Sequence, residues 1–364
     1  MNSKQIRIEE IKLKELNNFA RAFFERANPE EIIPISRQRV LAQTHNPCAQ
    51  PDDIVLLVAF SDGKCIGYHG LLPALLQHHG RLSKVYWATT FYVSEAFRGR
   101  GIGKLLIKKV KSYNIDFAVT GMTQGAEKTY LNSGLNVLGS IVFYQLRMEK
   151  VIRFKLFYQM VKRLLYRYWL SRQPGDLQDF NYKQVDQINI ELKTNKVISN
   201  HAPAFHRDIE MVNWMLKYPW VLSRDTAEVR KENYHFARVR DIFKYIALEI
   251  YSKRDNTLKG FLVLSVSHKK GKTIIKTLDY HLRNFRDLKI FCGLSLKFAA
   301  HHSADRIDIP LEFQNYFEGK FLQKYLLKKK KRSYVYHPAS TASPLAAFAD
   351  QIVLNYCDGD TAFT

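Results

Sequence analysis

Apolar and polar positions alternate over Gln5–Ile11 and then recur at helical spacing over Leu13–Ala27, which predicts a strand followed by an amphipathic helix. A stretch punctuated by Pro29 and Pro51 leads into the apolar run Ile54–Phe60, a strand, and Ser61–Lys64 reads as a turn. Cys65–Leu76 and Val85–Val93 continue as strands. Beyond the glycines at 99, 101 and 103 the pattern turns helical over Lys104–Tyr113, returns to a strand over Ile115–Gly121, and gives a short helix over Glu127–Ser133 and a long β-type run over Leu135–Met148. This mixture of strands and helices is an α/β pattern.

Between the halves, Val151–Arg172 reads as a basic amphipathic helix. Phe154, Phe157, Val161, Leu164, Leu165 and Tyr168 recur on one side, with Arg153, Lys155, Lys162, Arg163 and Arg167 on the other. The expectation is that the apolar side packs on the protein, the alternative being contact with an anionic membrane surface. Pro174-Gly175, within Gln173–Asp179, marks the boundary. Beyond it, the strands Tyr245–Tyr251, Gly260–Ser267 and Thr273–Tyr280 precede a helix (Leu288–His301), a strand (Arg306–Pro310), a helix (Glu312–Leu327) and a final strand pair. The order repeats that of the first half, so residues 1–150 and 181–364 read as two related α/β domains joined by 151–180.

A chain of 364 residues has room for two such cores. Hydrophobic residues at 46% and charged residues at 25% exclude global disorder. The net charge of +22 favours anionic partners. Residues 1–150 contain 20 basic and 13 acidic side chains and residues 151–364 contain 36 and 21, so most of the excess lies in the second half. Cys48, Cys65, Cys292 and Cys357 form no CxxC pair, which points to reduced thiols and a cytoplasmic setting. Met1–Lys14 lacks the apolar run of a secretory signal, and no segment is long enough to span a bilayer, so a soluble or peripheral protein is expected.

The strongest chemical signal is the strand end Val93-Ser94-Glu95-Ala96-Phe97 followed by Arg98-Gly99-Arg100-Gly101-Ile102-Gly103-Lys104. Glycines let main chain approach an anion closely, the free N–H groups of a helix start point at it, and the helix dipole favours its charge. Arg98, Arg100 and Lys104 add charge-assisted contacts. A dinucleotide GxGxxG fails because Lys104 or Leu106 stands where its third glycine belongs, and a Walker A loop fails at Arg98 and Leu105.

Arg98-x-x-Gly101-x-Gly103 after a strand ending in Val93 resembles the acyl-CoA pyrophosphate loop of the GNAT N-acetyltransferase superfamily, over roughly residues 5–148. A second segment, Ala126-x-x-x-Tyr130-x-x-x-Gly134-Leu135, is similar to that family's Ala-x-x-x-Tyr-x-x-x-Gly-Phe, with Leu135 in place of phenylalanine and Thr123 where the family often has asparagine. The resemblance implies a GNAT-like mixed sheet flanked by helices, with a second GNAT-like domain that lacks the loop and binds acceptor or partner. It implies acetyl-CoA or another acyl-CoA held by Phe91, Tyr92, Val93, Arg98, Gly99, Arg100, Gly101, Ile102, Gly103 and Lys104, with pantetheine in a gap between Phe91–Val93 and Val119–Gly121. It also implies Tyr130 as the acid that protonates the departing thiolate, a chemistry suited to a phenol.

No general base is visible. The strand Val85–Val93 contains no carboxylate, Glu95 falls in a turn position where a surface acid is common, and His69 is either a proton relay through water or a hydrogen-bonded structural histidine. Lys328–Arg332 reads as a solvated basic run in a loop or at a helix end. His78-His79, His301-His302 and Asp358-Gly359-Asp360 lack the remaining ligands of a metal site, so no metal is expected. No nucleic-acid-binding motif accompanies the charge. The expected activity is acyl transfer from acyl-CoA to an amine, first an amino sugar or sugar nucleotide of a surface-polysaccharide pathway. The alternatives are FemAB-like aminoacyl transfer from tRNA and a non-enzymatic CoA-sensing or membrane-surface module.

Overall fold

The computed structural model describes residues 6–26, 31–148, 155–171, 178–189, 202–224, 234–282, 288–316 and 326–363. The first half runs β1 (Arg7–Lys12), α1 (Leu13–Arg26), α2 (Arg37–Thr44), β2 (Ile54–Ser61), β3 (Lys64–His78), β4 (Arg81–Val93), α3 (Ile102–Lys111), β5 (Phe117–Thr120), α4 (Gln124–Asn132) and β6 (Asn136–Arg147). α1 buries Leu16, Ala20 and Phe23, one stripe at helical spacing. β2 and most of β3 are buried on both faces, which is why their apolar runs are nearly continuous. Within the Pro-punctuated stretch α2 forms, capped by Ser36, whose side chain accepts from Arg39 N–H. Its periodicity is weak because Arg39 and Gln43 are buried alongside Val40 and Ala42.

The second half follows with α5 (Lys155–Ser171), β7 (Phe180–Val185), β8 (Ala204–Phe205), α6 (Ile209–Lys217), β9 (Val221–Ser223), β10 (Arg238–Arg240), β11 (Ile242–Ser252), β12 (Leu258–Lys269), β13 (Lys272–Leu282), α7 (Leu288–His301), β14 (Arg306–Pro310) and β15 (Leu327–His337). Twelve strands form one sheet in the order β1-β2-β3-β4-β5-β15-β6-β14-β13-β12-β11-β7, with β8 added to β3. β4 and β5 are parallel across α3, and β13 and β14 are parallel across α7, so each half contains the same crossover unit. The last strands are exchanged: β15 of the second half pairs with β5, and β6 of the first pairs with β14. This exchange makes the sheet continuous. Antiparallel pairing of β15 with β6 closes the seam.

Two expectations are corrected here. Lys328–Arg332 is neither loop nor helix end but the start of β15, in the middle of the sheet, paired with Ile141–Gln145. In α5 the expected faces hold only in part: Leu165 packs on the core and Arg163 and Arg167 are exposed, but Tyr166 and Trp169 supply the buried face, whereas Phe157, Met160, Leu164 and Tyr168 are exposed. Lys162, assigned to the solvent side, is buried and donates to Asp305 Oδ1 at 2.9 Å and Ser303 C=O at 2.8 Å. Tyr158 hydroxyl donates to the same carboxylate at 2.7 Å. Burial pushes the Asp305 carboxyl up, but the bonds from Lys162, Thr273 N–H and Tyr158 outweigh it, and its pKa falls below the ordinary value. Phe154 and Arg153 lie outside the described residues.

Candidate functional site

β4 and β5 pair at Tyr86↔Phe117, Trp87↔Ala118 and Ala88↔Val119, and beyond Ala88 the pairing ends. β4 separates from β5 where it also bulges against β3: between Tyr68↔Tyr92 and Gly70↔Thr89, three steps on β4 face two on β3. Thr90 takes a positive φ of 49°, a strained conformation for a β-branched residue. Phe91, Tyr92 and Val93 therefore run along an open edge. Opposite them stand Thr120 and Gly121, at the end of β5.

The chain then turns through Glu95–Phe97 into Gly99 and Gly101, with φ of 79° and 81°, and α3 begins at Ile102. Only glycine takes two such left-handed steps without strain. The first helical hydrogen bond runs from Leu105 N–H to Gly101 C=O, so the N–H groups of Ile102, Gly103 and Lys104 precede the intrahelical series. Phe91 packs on the helix start, where a Cβ on Gly103 would lie 2.8 Å from its Cζ. Arg98 folds back onto β4, donating to Val93 C=O at 3.2 Å and pairing with Glu95 at 3.1 Å. Glu95 is accordingly a surface acid engaged by the loop's own arginine.

Beneath the open edge, on the face of the sheet covered by α3 and α4, Tyr130 and His69 meet. The ring atoms are arranged by a simple constraint: His69 Nδ1 faces Gly70 C=O at 3.1 Å, which can only accept, so Nδ1 carries the proton. Nε2 is then an acceptor, and the Tyr130 hydroxyl donates to it at 2.8 Å. Both side chains are 1% exposed or less. Burial lowers the His69 pKa to about 4, partly offset by the Gly70 bond, and burial pushes the Tyr130 phenol well above its ordinary value. Phe91 completes the cluster, with ring centroids 5.3 Å from His69 and 5.2 Å from Tyr130. Thr123 caps α4, accepting from Ala126 N–H at 3.3 Å, which fixes the helix that carries Tyr130.

The opposite face of the same strands holds residues that local sequence gave no means of finding. Tyr68 and Thr89 lie there beneath α2, joined by the second half of the chain. Tyr234 stacks on Tyr68 at 5.9 Å, His235 stacks on Tyr92 at 4.3 Å, and Trp220 lies under the Arg39 guanidinium at 3.6 Å. The helical turn Gly359–Phe363 lies against the ends of β4 and β5: a Cβ on Gly359 would meet Thr120 Cγ2 at 2.6 Å, and one on Gly121 would lie 3.8 Å from Asp360 Oδ1. Asp358, beside it, is buried and pairs with Arg207 at 3.4 Å. Among the described residues no cluster of metal-ligating side chains occurs.

The exchanged strands, the two crossover units and the opened β4–β5 pair define a duplicated α/β fold of the GNAT type. Residues 13–147 match the model of the acetyltransferase (GNAT) family, and that segment is a GNAT domain. The chain is similar in fold to a tandem GNAT protein of the clavulanic acid biosynthesis pathway, at 9% identity, with 92% of this chain and 99% of that chain covered and a TM-score of 0.50. A GCN5-related N-acetyltransferase from Anabaena variabilis aligns at 11% identity over 92% of this chain and 74% of its own, with a TM-score of 0.47. Saccharomyces cerevisiae N-myristoyltransferase, solved with myristoyl-CoA, aligns at 9% identity over 92% and 80%, with a TM-score of 0.49. No curated protein matches by sequence.

Proposed function

We propose that this protein transfers an acyl group from acyl-CoA, first acetyl-CoA, to a primary amine. The observation that carries this reading is the succession of left-handed Gly99 and Gly101, the unbonded N–H groups at the start of α3, and the open edge of β4 above Tyr130. Acyl-CoA supplies an activated thioester. Ile102, Gly103 and Lys104 N–H groups bind its pyrophosphate, and Phe91–Val93 main chain holds the pantetheine arm and polarises the carbonyl. Burial keeps the Tyr130 phenol protonated, and His69 holds its hydroxyl oriented. The phenol is a weak acid there, so it gives its proton only as charge develops on the departing sulfur. No carboxylate lies on the open edge itself; an acceptor amine that arrives neutral attacks without one, and the proton its nitrogen sheds as the amide forms restores the Tyr130 phenol.

The second crossover unit has Arg283-Asn284-Phe285-Arg286-Asp287 between β13 and α7, with no glycine, which supports a single acyl-CoA site in the first half. The acceptor is an amine, with an amino sugar or sugar nucleotide as the first class to screen. Four free cysteines accord with a reducing compartment. Thiol release from acetyl-CoA, screened against pools of amino sugars, sugar nucleotides, polyamines and peptides, tests the reading. Amine-dependent release is expected, and release that no amine stimulates in a CoA-binding protein removes the transferase assignment.

α5 adds a membrane contact to this proposal. Its exposed Phe157, Met160, Leu164 and Tyr168 form one stripe, flanked by exposed Arg163 and Arg167, and a chain of net charge +22 complements an anionic bilayer. Among the described residues no helix is long and apolar enough to cross a membrane. Flotation with anionic vesicles is expected to carry the protein, and Leu164→Glu with Phe157→Glu to abolish this. Equal flotation of the double variant refutes the contact.

A further inference from the structure

Opposite the His69–Tyr130 face, one buried cation is faced chiefly by aromatic rings among the described residues. Arg39 is 6% exposed, and among the described residues its guanidinium makes no hydrogen bond or ion pair, only ring contacts with Trp220 at 3.6 Å and Tyr234 at 5.7 Å. A buried guanidinium met mainly by rings is incompletely compensated for the water it has lost. The neighbouring polar atoms are orphaned as well. Gln43 Oε1, one turn along α2, Tyr68 hydroxyl and Thr89 Oγ1 on the sheet below, and Trp220 Nε1 are all buried without a hydrogen-bond partner. Buried polar groups are almost always satisfied, and four such atoms on four segments, on the side of the sheet where Arg39 is buried, mark a place where a polar ligand belongs.

The position of these residues says which ligand. Thr89 precedes the bulge at Thr90 where β4 leaves β5, so this group of residues adjoins the gap assigned to the thioester, on the side away from Tyr130. Asp360 stands half-buried at the end of β5, beside exposed Gly121, and its carboxylate acts electrostatically on Arg39. A planar guanidinium binds oxyanions through paired N–H groups, and a carboxylate near the gap favours an ammonium. We infer that Arg39, with Gln43, Tyr68 and Thr89, is the acceptor subsite, and that the acceptor is an amine bearing an oxyanion, its charged group on Arg39 and its amine toward Asp360. The inference rests on the acyl-CoA reading of the β4–β5 gap. It narrows the acceptor to the chemistry shared by amino acids and phosphorylated amino sugars.

The test pairs acceptors that differ only in that charge. Thiol release from acetyl-CoA is measured with amino acids against their methyl esters, and with glucosamine 6-phosphate against glucosamine. Calorimetry of CoA alone reads the first site independently. One oxyanion-bearing series is expected to be used, with the neutral counterpart showing a KM raised by about 100-fold, the scale of one buried charge-assisted contact; which series responds identifies carboxylate or phosphate. Arg39→Met is expected to raise KM for the charged acceptor similarly, with little change in kcat. It should also leave thermal stability unchanged or higher, since it removes an unpaired buried cation. Normal CoA binding with equal use of oxyanion-bearing and neutral acceptors overturns the subsite and spares the transferase reading, as does a CoA-loaded protein that acylates only the neutral counterparts. Loss of CoA binding in the parent removes both. If Arg39→Met does not fold, the acceptor pairs on the parent protein still decide.

Discussion

Gly101→Val is expected to weaken CoA binding at least 100-fold while the protein remains folded. A Cβ at Gly101 meets nothing within 4 Å, so the substitution causes no collision. Its cost is the φ of 81°, which an L side chain adopts only at about 1–2 kcal/mol and a β-branched one resists further. The loop relaxes by turning the N–H groups of Ile102 and Gly103 away from their common focus. Each hydrogen bond to a charged group contributes about 1.5–3 kcal/mol, so losing two gives the stated factor. Gly63→Val is the control: φ is 75°, nothing lies within 4 Å, and the residue sits in the β2–β3 turn. The same backbone strain there should lower stability comparably and leave CoA affinity intact. Equal affinity of Gly101→Val and parent in calorimetry would remove the pyrophosphate-loop assignment.

Tyr130→Phe should keep acyl-CoA affinity and slow thioester consumption by about 10²–10⁴-fold, the usual scale of a general acid. The ring packing against Phe91 survives. The hydroxyl lost is the one that satisfies His69 Nε2, and an acceptor left unpaired in that buried place costs about 1–3 kcal/mol of stability. Melting temperature and turnover must therefore be measured together, since a stability loss alone does not lower kcat in a folded sample. The pH profile separates the two residues. Burial holds His69 neutral down to about pH 4, so its titration should be absent from the parent's rate profile at neutral pH. A histidine-like inflection near pH 6.5 would mean that His69 is solvated in the working enzyme. Normal turnover by Tyr130→Phe would show that the thiolate leaves unassisted.

Much of the first half was legible residue by residue. The turn from Val93 into α3 depends on glycines that alone tolerate positive φ, and on the helix start behind them, all within twelve residues. α7 and β14 have the bounds their patterns predict, Leu288–His301 and Arg306–Pro310, because each buries its apolar side chains against one core. Tyr130 was identifiable from its segment, but its hydrogen bond to His69 was not, since the two are 61 residues apart. α5 misled for a physical reason. Apolar and aromatic residues occur almost all round it, so periodicity does not single out a buried face, and the Lys162–Asp305 bond decides it.

By itself the sequence determined an α/β chain in two related halves and one glycine-rich anion loop, with a tyrosine on the helix beyond it, because the backbone freedom of glycine and the periodicity of apolar residues are properties of short stretches of chain. Only the tertiary structure decided the exchange of β6 and β15, the polarity of α5, and the meeting of Arg39 with Trp220 and of Asp360 with the end of β5. Those features join segments up to some 240 residues apart. Which polar groups are buried, and which are left unpaired, depends on what the distant half of the chain places over them.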